Sequence, residues 1–140
     1  VTASQGSDIS SASNNTATFT TGIQDSIGNL IDNSNNTAKT ELTNILADHS
    51  NVLIELTDTG SIFSIDLNKL DTLAAGNIDA SSVTELNGSI SDCSTAFTSS
   101  GISGLGNEAV TITDTNISAS NLITLDSQTS GIIDAVLLLI

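Results

Sequence analysis

The chain has 140 residues and a formal net charge of −14, with 16 Asp and Glu against only two basic residues, Lys39 and Lys69. That balance excludes nucleic-acid binding through its own surface, since few cations are present to displace phosphate counter-ions, and an anionic membrane would repel it. Only 13% of residues are charged and 2% aromatic, and Trp, Tyr, Met and Pro are absent. A thin core of Ile, Leu, Val and Ala repeated along an axis fits that composition better than the varied core of a compact enzyme.

Residues 1–18 are rich in Ser, Thr and Asn and predict a polar extended arm. The chain opens on Val1 and has no Met, as expected of a processed chain or a piece of a longer one. Over 19–50, Ile23, Ile27 and Leu30, then Ala38, Leu42 and Ile45, recur at helical spacing. The Asn33-Ser-Asn-Asn36 break between them predicts a helical hairpin, either a capping unit or an assembly helix pair.

Residues 51–140 predict a tandem repeat array. Ile117-Ser-Ala-Ser-Asn-Leu-Ile-Thr-Leu-Asp126 matches Ile78-Asp-Ala-Ser-Ser-Val-Thr-Glu-Leu-Asn87 in its apolar pattern, and Ile62-Phe-Ser-Ile-Asp-Leu-Asn-Lys-Leu-Asp71 is a third copy. Half-units thus start near 62, 78, 117 and 133. Within them Ala80, Val83 and Leu86, like Ala119, Leu122 and Leu125, fall three apart, which predicts a short helix in each copy. Ser82-Val-Thr-Glu85 has the capping-box form, and Gly76 and Gly131 follow where a left-handed residue would close the turn. Ser89 to Thr98 predicts another helix with Ile90, Cys93 and Phe97 inward. Val52–Leu56, Val110–Thr113 and Ile132-Ile133 predict strands. Short strands and short helices in tandem imply an α/β solenoid with a helical N-terminal unit, or alternatively a β-solenoid.

No catalytic set is predicted. His49, the only histidine, sits at a helix end, and nothing links it to Cys93 or a serine. Cys93 predicts a small buried residue. Gly104-Leu-Gly106-Asn-Glu-Ala109 imitates a dinucleotide fingerprint, but strand-like Val110-Thr-Ile-Thr follows where a helix should begin. Calcium is the one cofactor considered: Asp114, Asn116 and Ser118 alternate like the first ligands of an oxygen-rich loop, without its central Gly or bidentate Glu. Asp79 and Asp134 recur at equivalent places and would form a ladder along a stack. The Asn-x-Ser/Thr sequons at Asn14, Asn35, Asn87 and Asn116 are expected by chance in this composition. The apolar run Val136, Leu137, Leu138, Leu139, Ile140 is too short to span a bilayer and is the candidate assembly segment.

Thr113 to Gly131, Ile78 to Gly88 and Ser99-Ser-Gly-Ile-Ser-Gly-Leu-Gly-Asn-Glu-Ala-Val-Thr111 resemble a repeat of very long proteins of marine cyanobacteria, over roughly residues 60–135. The resemblance implies a secreted or cell-surface protein and brings no catalytic residues. Together these features predict a non-enzymatic structural segment of an extracellular, cell-surface or virion fibre that partners itself through repeat ends. The alternative is an adhesin-type module holding calcium or glycan.

Overall fold

The computed structural model describes residues 1–14 and 17–135. In chain order the first part comprises α1 (Ala3–Ala12), β1 (Ile23–Asp25), α2 (Ile27–Leu30), β2 (Ile31–Asp32), β3 (Thr37–Ala38) and α3 (Thr40–Asp48). There follow β4 (Ile54–Leu56), β5 (Ser61–Phe63), α4 (Ser64–Leu73), β6 (Ile78–Asp79), β7 (Glu85–Gly88) and α5 (Ile90–Thr98). The chain continues through β8 (Ile102–Ser103), β9 (Ala109–Ile112), α6 (Ala119–Asp126) and β10 (Ile133–Ala135). This is an α/β fold with six helices among the described residues. Two parallel sheets run β1-β4-β6-β8 and β10-β9-β7-β5, beside the antiparallel hairpin β2-β3. Neither sheet closes into a barrel among the described residues.

The pairing step along the chain is nearly constant. In the first sheet Ile54 pairs with Ile78 and Ile78 with Ile102, so the step in residue number is the same both times. In the second sheet Ile62 pairs with Leu86 and Leu86 with Val110 at that same step, and Val110 pairs with Ile133, one short of it. The first step, from Ile23 to Ile54, is longer, and the extra chain accommodates the hairpin β2–β3. Alternation along the short strands sends these Ile, Leu and Val side chains to one face. Ile23, Ile54, Ile78, Ile62, Leu86 and Val110 are all buried. Leu67, Leu70, Cys93, Ala96 and Leu125 join the same core from the helices. Full burial of each large side chain is worth about 1.5–3 kcal/mol, which stabilises helices too short to persist alone.

Several expectations are corrected. Residues 3–12 are a helix, not an extended arm. Thr2 and Gln5 form a reciprocal capping box, and Ala3, Gly6 and Ser10 are buried. A Cβ on Gly6 would come within 3.1 Å of Ile23 and Ile45 methyls, so small residues let this polar segment lie close to the core. The predicted helical hairpin over 19–50 is instead a strand at Ile23, a single turn at Ile27–Leu30 and a β-hairpin at the Asn33–Asn36 break, with Leu42 and Ile45 on a true helix. No helix covers 80–86. Ala80, Val83 and Leu86 are buried, yet they line a corner between β6 and β7, and the Ser82–Glu85 capping box does not form. Gly76 and Gly131 are not left-handed; the positive-φ glycines are Gly22, Gly104 and Gly106. Strands occur at β4, β9 and β10, and helices at 90–98 and 119–126, close to the predicted positions.

Candidate functional site

Exposed apolar side chains gather at the end of the molecule formed by α6 and β10. Ile123 is 70% exposed and Ile132 80%, the two most exposed large apolar residues described. A cavity of about 350 Å³ lies beside Ile123, lined by Leu122, Ile123, Asp126, Ile133 and Ala135. The chain folds this way locally because Ser118 caps α6, its hydroxyl accepting the Asn121 N–H at 3.2 Å, and because Leu125 anchors the helix in the core. β10 pairs with β9 on one side and forms the edge of its sheet. The predicted assembly residues Val136 to Ile140 follow directly in sequence and lie outside the described residues.

The opposite end is covered. Val1 lies against β1, its carbonyl accepting the Gln24 N–H at 2.9 Å and its ammonium donating to Gly22 O at 3.3 Å. Helix α1 packs on α3 and presents Ser4, Gln5, Asp8 and Ser11 outward, beside the half-exposed Ile9. His49 closes the base of α3: its Nδ1 accepts the Phe19 N–H at 3.0 Å, and the two rings stack with centroids 6.2 Å apart.

Two of the proposed calcium ligands, Asp114 and Ser118, serve as helix caps. Asp114 accepts the Ile90 N–H at 2.6 Å, capping α5 in the preceding stretch of chain. Asn116 is exposed, and Ser118 is occupied as the α6 cap. Asp79 lies in the first sheet, in register with Glu55 and Ser103, whereas Asp134 lies in the second, opposite Thr111. The Asp79–Asp134 ladder therefore does not exist, because equal places in the sequence pattern fall on different sheets. Among the described residues no group of three or more His, Cys, Asp or Glu is placed to hold a metal.

The carboxylates instead serve as staples between consecutive segments, a role that sequence motifs did not reveal. Asp25 accepts the Ala3 N–H at 2.8 Å and Asp58 the Ile27 N–H at 2.8 Å, as Asp114 does for Ile90. Burial disfavours the Asp25 anion, but bonds from Asn29, Ala3 and Ser26 outweigh it and hold the carboxyl below its ordinary value. Bonds from the Ser81 backbone and hydroxyl likewise lower Asp79. Asp66, almost fully buried, accepts Asn33 Nδ2 at 2.8 Å and Asn36 Nδ2 at 3.0 Å, fastening the hairpin to α4. Glu108, also buried, accepts the Gly106 and Asn107 N–H groups at 2.6 and 3.1 Å. Those two amides of the glycine loop, which a phosphate would need, are already taken by this carboxylate, and a strand follows. Burial pushes the Cys93 thiol up and Asp92 and Asp114 add to this, against a contact with Ser64 Oγ at 3.5 Å, so the sulfur is a poor nucleophile.

No known family, curated protein or solved structure matches this chain. Among the described residues no helix is long and apolar enough to cross a membrane.

Proposed function

We propose that this chain is a non-enzymatic structural segment of an extracellular, cell-surface or virion fibre, a short solenoid whose middle coils share one step and which associates with its own kind through its repeat ends. The observation that carries this reading is the constant register, in which Ile54, Ile78 and Ile102, and Ile62, Leu86 and Val110, recur at one common step on two parallel sheets. Such pairing makes each coil the template for the next, so stability accumulates through neighbour interfaces. The aspartate caps on Ala3, Ile27 and Ile90 reinforce those interfaces. A capped first unit and an apolar last one suit a module that joins others at one end. Net charge of −14 keeps free copies soluble.

Light scattering and electron microscopy of the purified chain, with and without calcium, test the proposal. Species larger than one chain are expected at about 100 µM, a concentration sufficient for weak specific contacts. Single chains under every condition would refute self-association.

A further inference from the structure

We infer that the outward face of α4 docks onto the outward face of the β1-β4-β6-β8 sheet of a second copy, so that chains also join side to side. The first face is a stripe of Ile65, Lys69 and Leu73, spaced one turn apart along α4. Ile65 and Leu73 are exposed, because Leu67 and Leu70 take the core side of the same helix. Lys69 stands between them and has no hydrogen bond or ion pair among the described residues. The nearby carboxylates are turned elsewhere, Asp66 to Asn33 and Asn36, and Asp71 to Ser99. A chain with 16 acidic residues thus leaves one of its two lysines without a carboxylate.

The second face carries the opposite charge. Ile54 and Ile78 point into the core, so Leu53 and Glu55, and Asn77 and Asp79, flank them on the outer side of the sheet. These four residues and Thr21 are among the walls of a groove of about 190 Å³. Leu53 is more than half exposed, and Glu55 lies directly opposite Asp79 in the parallel register. Like charges so placed repel, and neither lysine lines the groove. An ammonium set between the two carboxylates removes that repulsion, while an isoleucine or leucine beside it covers Leu53. Both halves of this match are on one sequence, which makes a second copy the partner. The shared core lies between the two faces, so each copy offers α4 to one neighbour and its sheet to another. Such a contact extends into a row. It is separate from the association through repeat ends proposed above.

The test is zero-length cross-linking of the full chain with a carbodiimide, in an equal mixture of isotope-labelled and unlabelled protein at about 100 µM. The expected product is an amide between Lys69 of one copy and Glu55 or Asp79 of another. Its yield falls several-fold between about 0.05 and about 0.5 M NaCl, as salt screens the pair. In sedimentation, Lys69→Glu loses the salt-sensitive species, and so does Glu55→Lys with Asp79→Lys. Mixing the two variants restores it, because the reversed charges again meet. Their circular-dichroism melts stay within a few degrees of the parent, since all three side chains reach solvent. Cross-links through Lys39 or the Val1 ammonium in place of Lys69, or a mixture no more assembled than its components, would overturn the α4 contact. Larger species without the Lys69 cross-link would overturn it too and leave association through the ends standing. Single chains throughout would overturn both.

Discussion

Gly76 offers the most direct test of how closely successive segments pack. A Cβ there would lie 2.1 Å from Val52 O and 2.5 Å from Asn51 O, more than an ångström short on the first against the 3.4 Å of ordinary contact. The obstacles are main-chain carbonyls of the preceding segment, which cannot swing aside as a side chain would. They are held by the Ala75 N–H to Ser50 O bond at 2.9 Å and the Ile54 N–H to Asn77 O bond at 3.0 Å. Making room in Gly76→Ala sacrifices about two such bonds at roughly 1 kcal/mol each and adds overpacking strain of about 1–3 kcal/mol. The expected loss is therefore on the order of 3–5 kcal/mol. Gly60 is the control, because a Cβ there meets nothing within 4 Å. Gly60→Ala should change stability by no more than about 1 kcal/mol, on the stabilising side if its backbone suits alanine. With no Trp or Tyr, urea unfolding is followed by circular dichroism at room temperature. At a slope of about 2 kcal/mol per molar, the midpoints should differ by roughly 1.5–2.5 M. Equal midpoints for the two variants would show that the segments are not in backbone contact and would undo the packing derived from the register.

Asp114→Ala leaves the Ile90 N–H without its acceptor and should cost about 1–2 kcal/mol, while Asp114→Asn keeps an acceptor oxygen and should recover part of it in the same urea assay. Native Cys93 should react with a disulfide reagent at mildly alkaline pH only as fast as the structure opens, and immediately in denaturant; rapid native labelling would contradict its burial. Asp25 and Asp79 have folded pKa values below the ordinary 3.8, so the unfolded chain binds their protons first as pH falls. Their stabilisation is complete well above 3.8 and drains away as pH drops through that value to the lower folded ones. The denaturant midpoint should therefore fall below about pH 4, less steeply in Asp25→Asn. A midpoint that rises throughout that range would contradict these caps.

The apolar column of this fold is legible in the sequence, whereas its secondary structure is legible only in part. Ala80, Val83 and Leu86 are inward, as their spacing predicts, but two strands meeting at a corner produce that spacing as readily as one helical turn. What decides between them is remote: Ile78 lies between Ile54 and Ile102, and Leu86 between Ile62 and Val110. The similar segment 117–126 has no such strand neighbours on both sides and forms α6, with only Leu125 fully buried. Local similarity therefore marks unevenly spaced half-units, starting near 62, 78, 117 and 133, while strand pairing keeps one step from Ile54 to Ile102 and from Ile62 to Val110. Helix α5 is readable because its signals are local: the Ser89 cap accepts from Asp92 N, and Ile90, Cys93 and Ala96 fill one face.

The candidate site shows the same division between local and remote causes. A carboxylate spaced like a metal ligand and one that caps a helix elsewhere in the chain are identical in sequence, since Asp114 caps Ile90 and Asp58 caps Ile27, both far from the motif that carries the carboxylate. An Asp lying opposite a helix N-terminus gains a donor and a favourable dipole without any cation. It then has less need of a metal to offset its charge. Hydrogen bonds thus supply partners for carboxylates in a chain with 16 acidic and two basic residues: Asp25, Asp58, Asp66, Glu108 and Asp114 each accept a backbone N–H or an asparagine amide. Amides and hydroxyls from its many Asn and Ser residues replace lysine and arginine as partners. Hydrogen bonds cannot do the same for the exposed apolar side chains, Ile123 and Ile132 above all and Leu53, Phe63 and Ile65 after them, which only another apolar surface would cover.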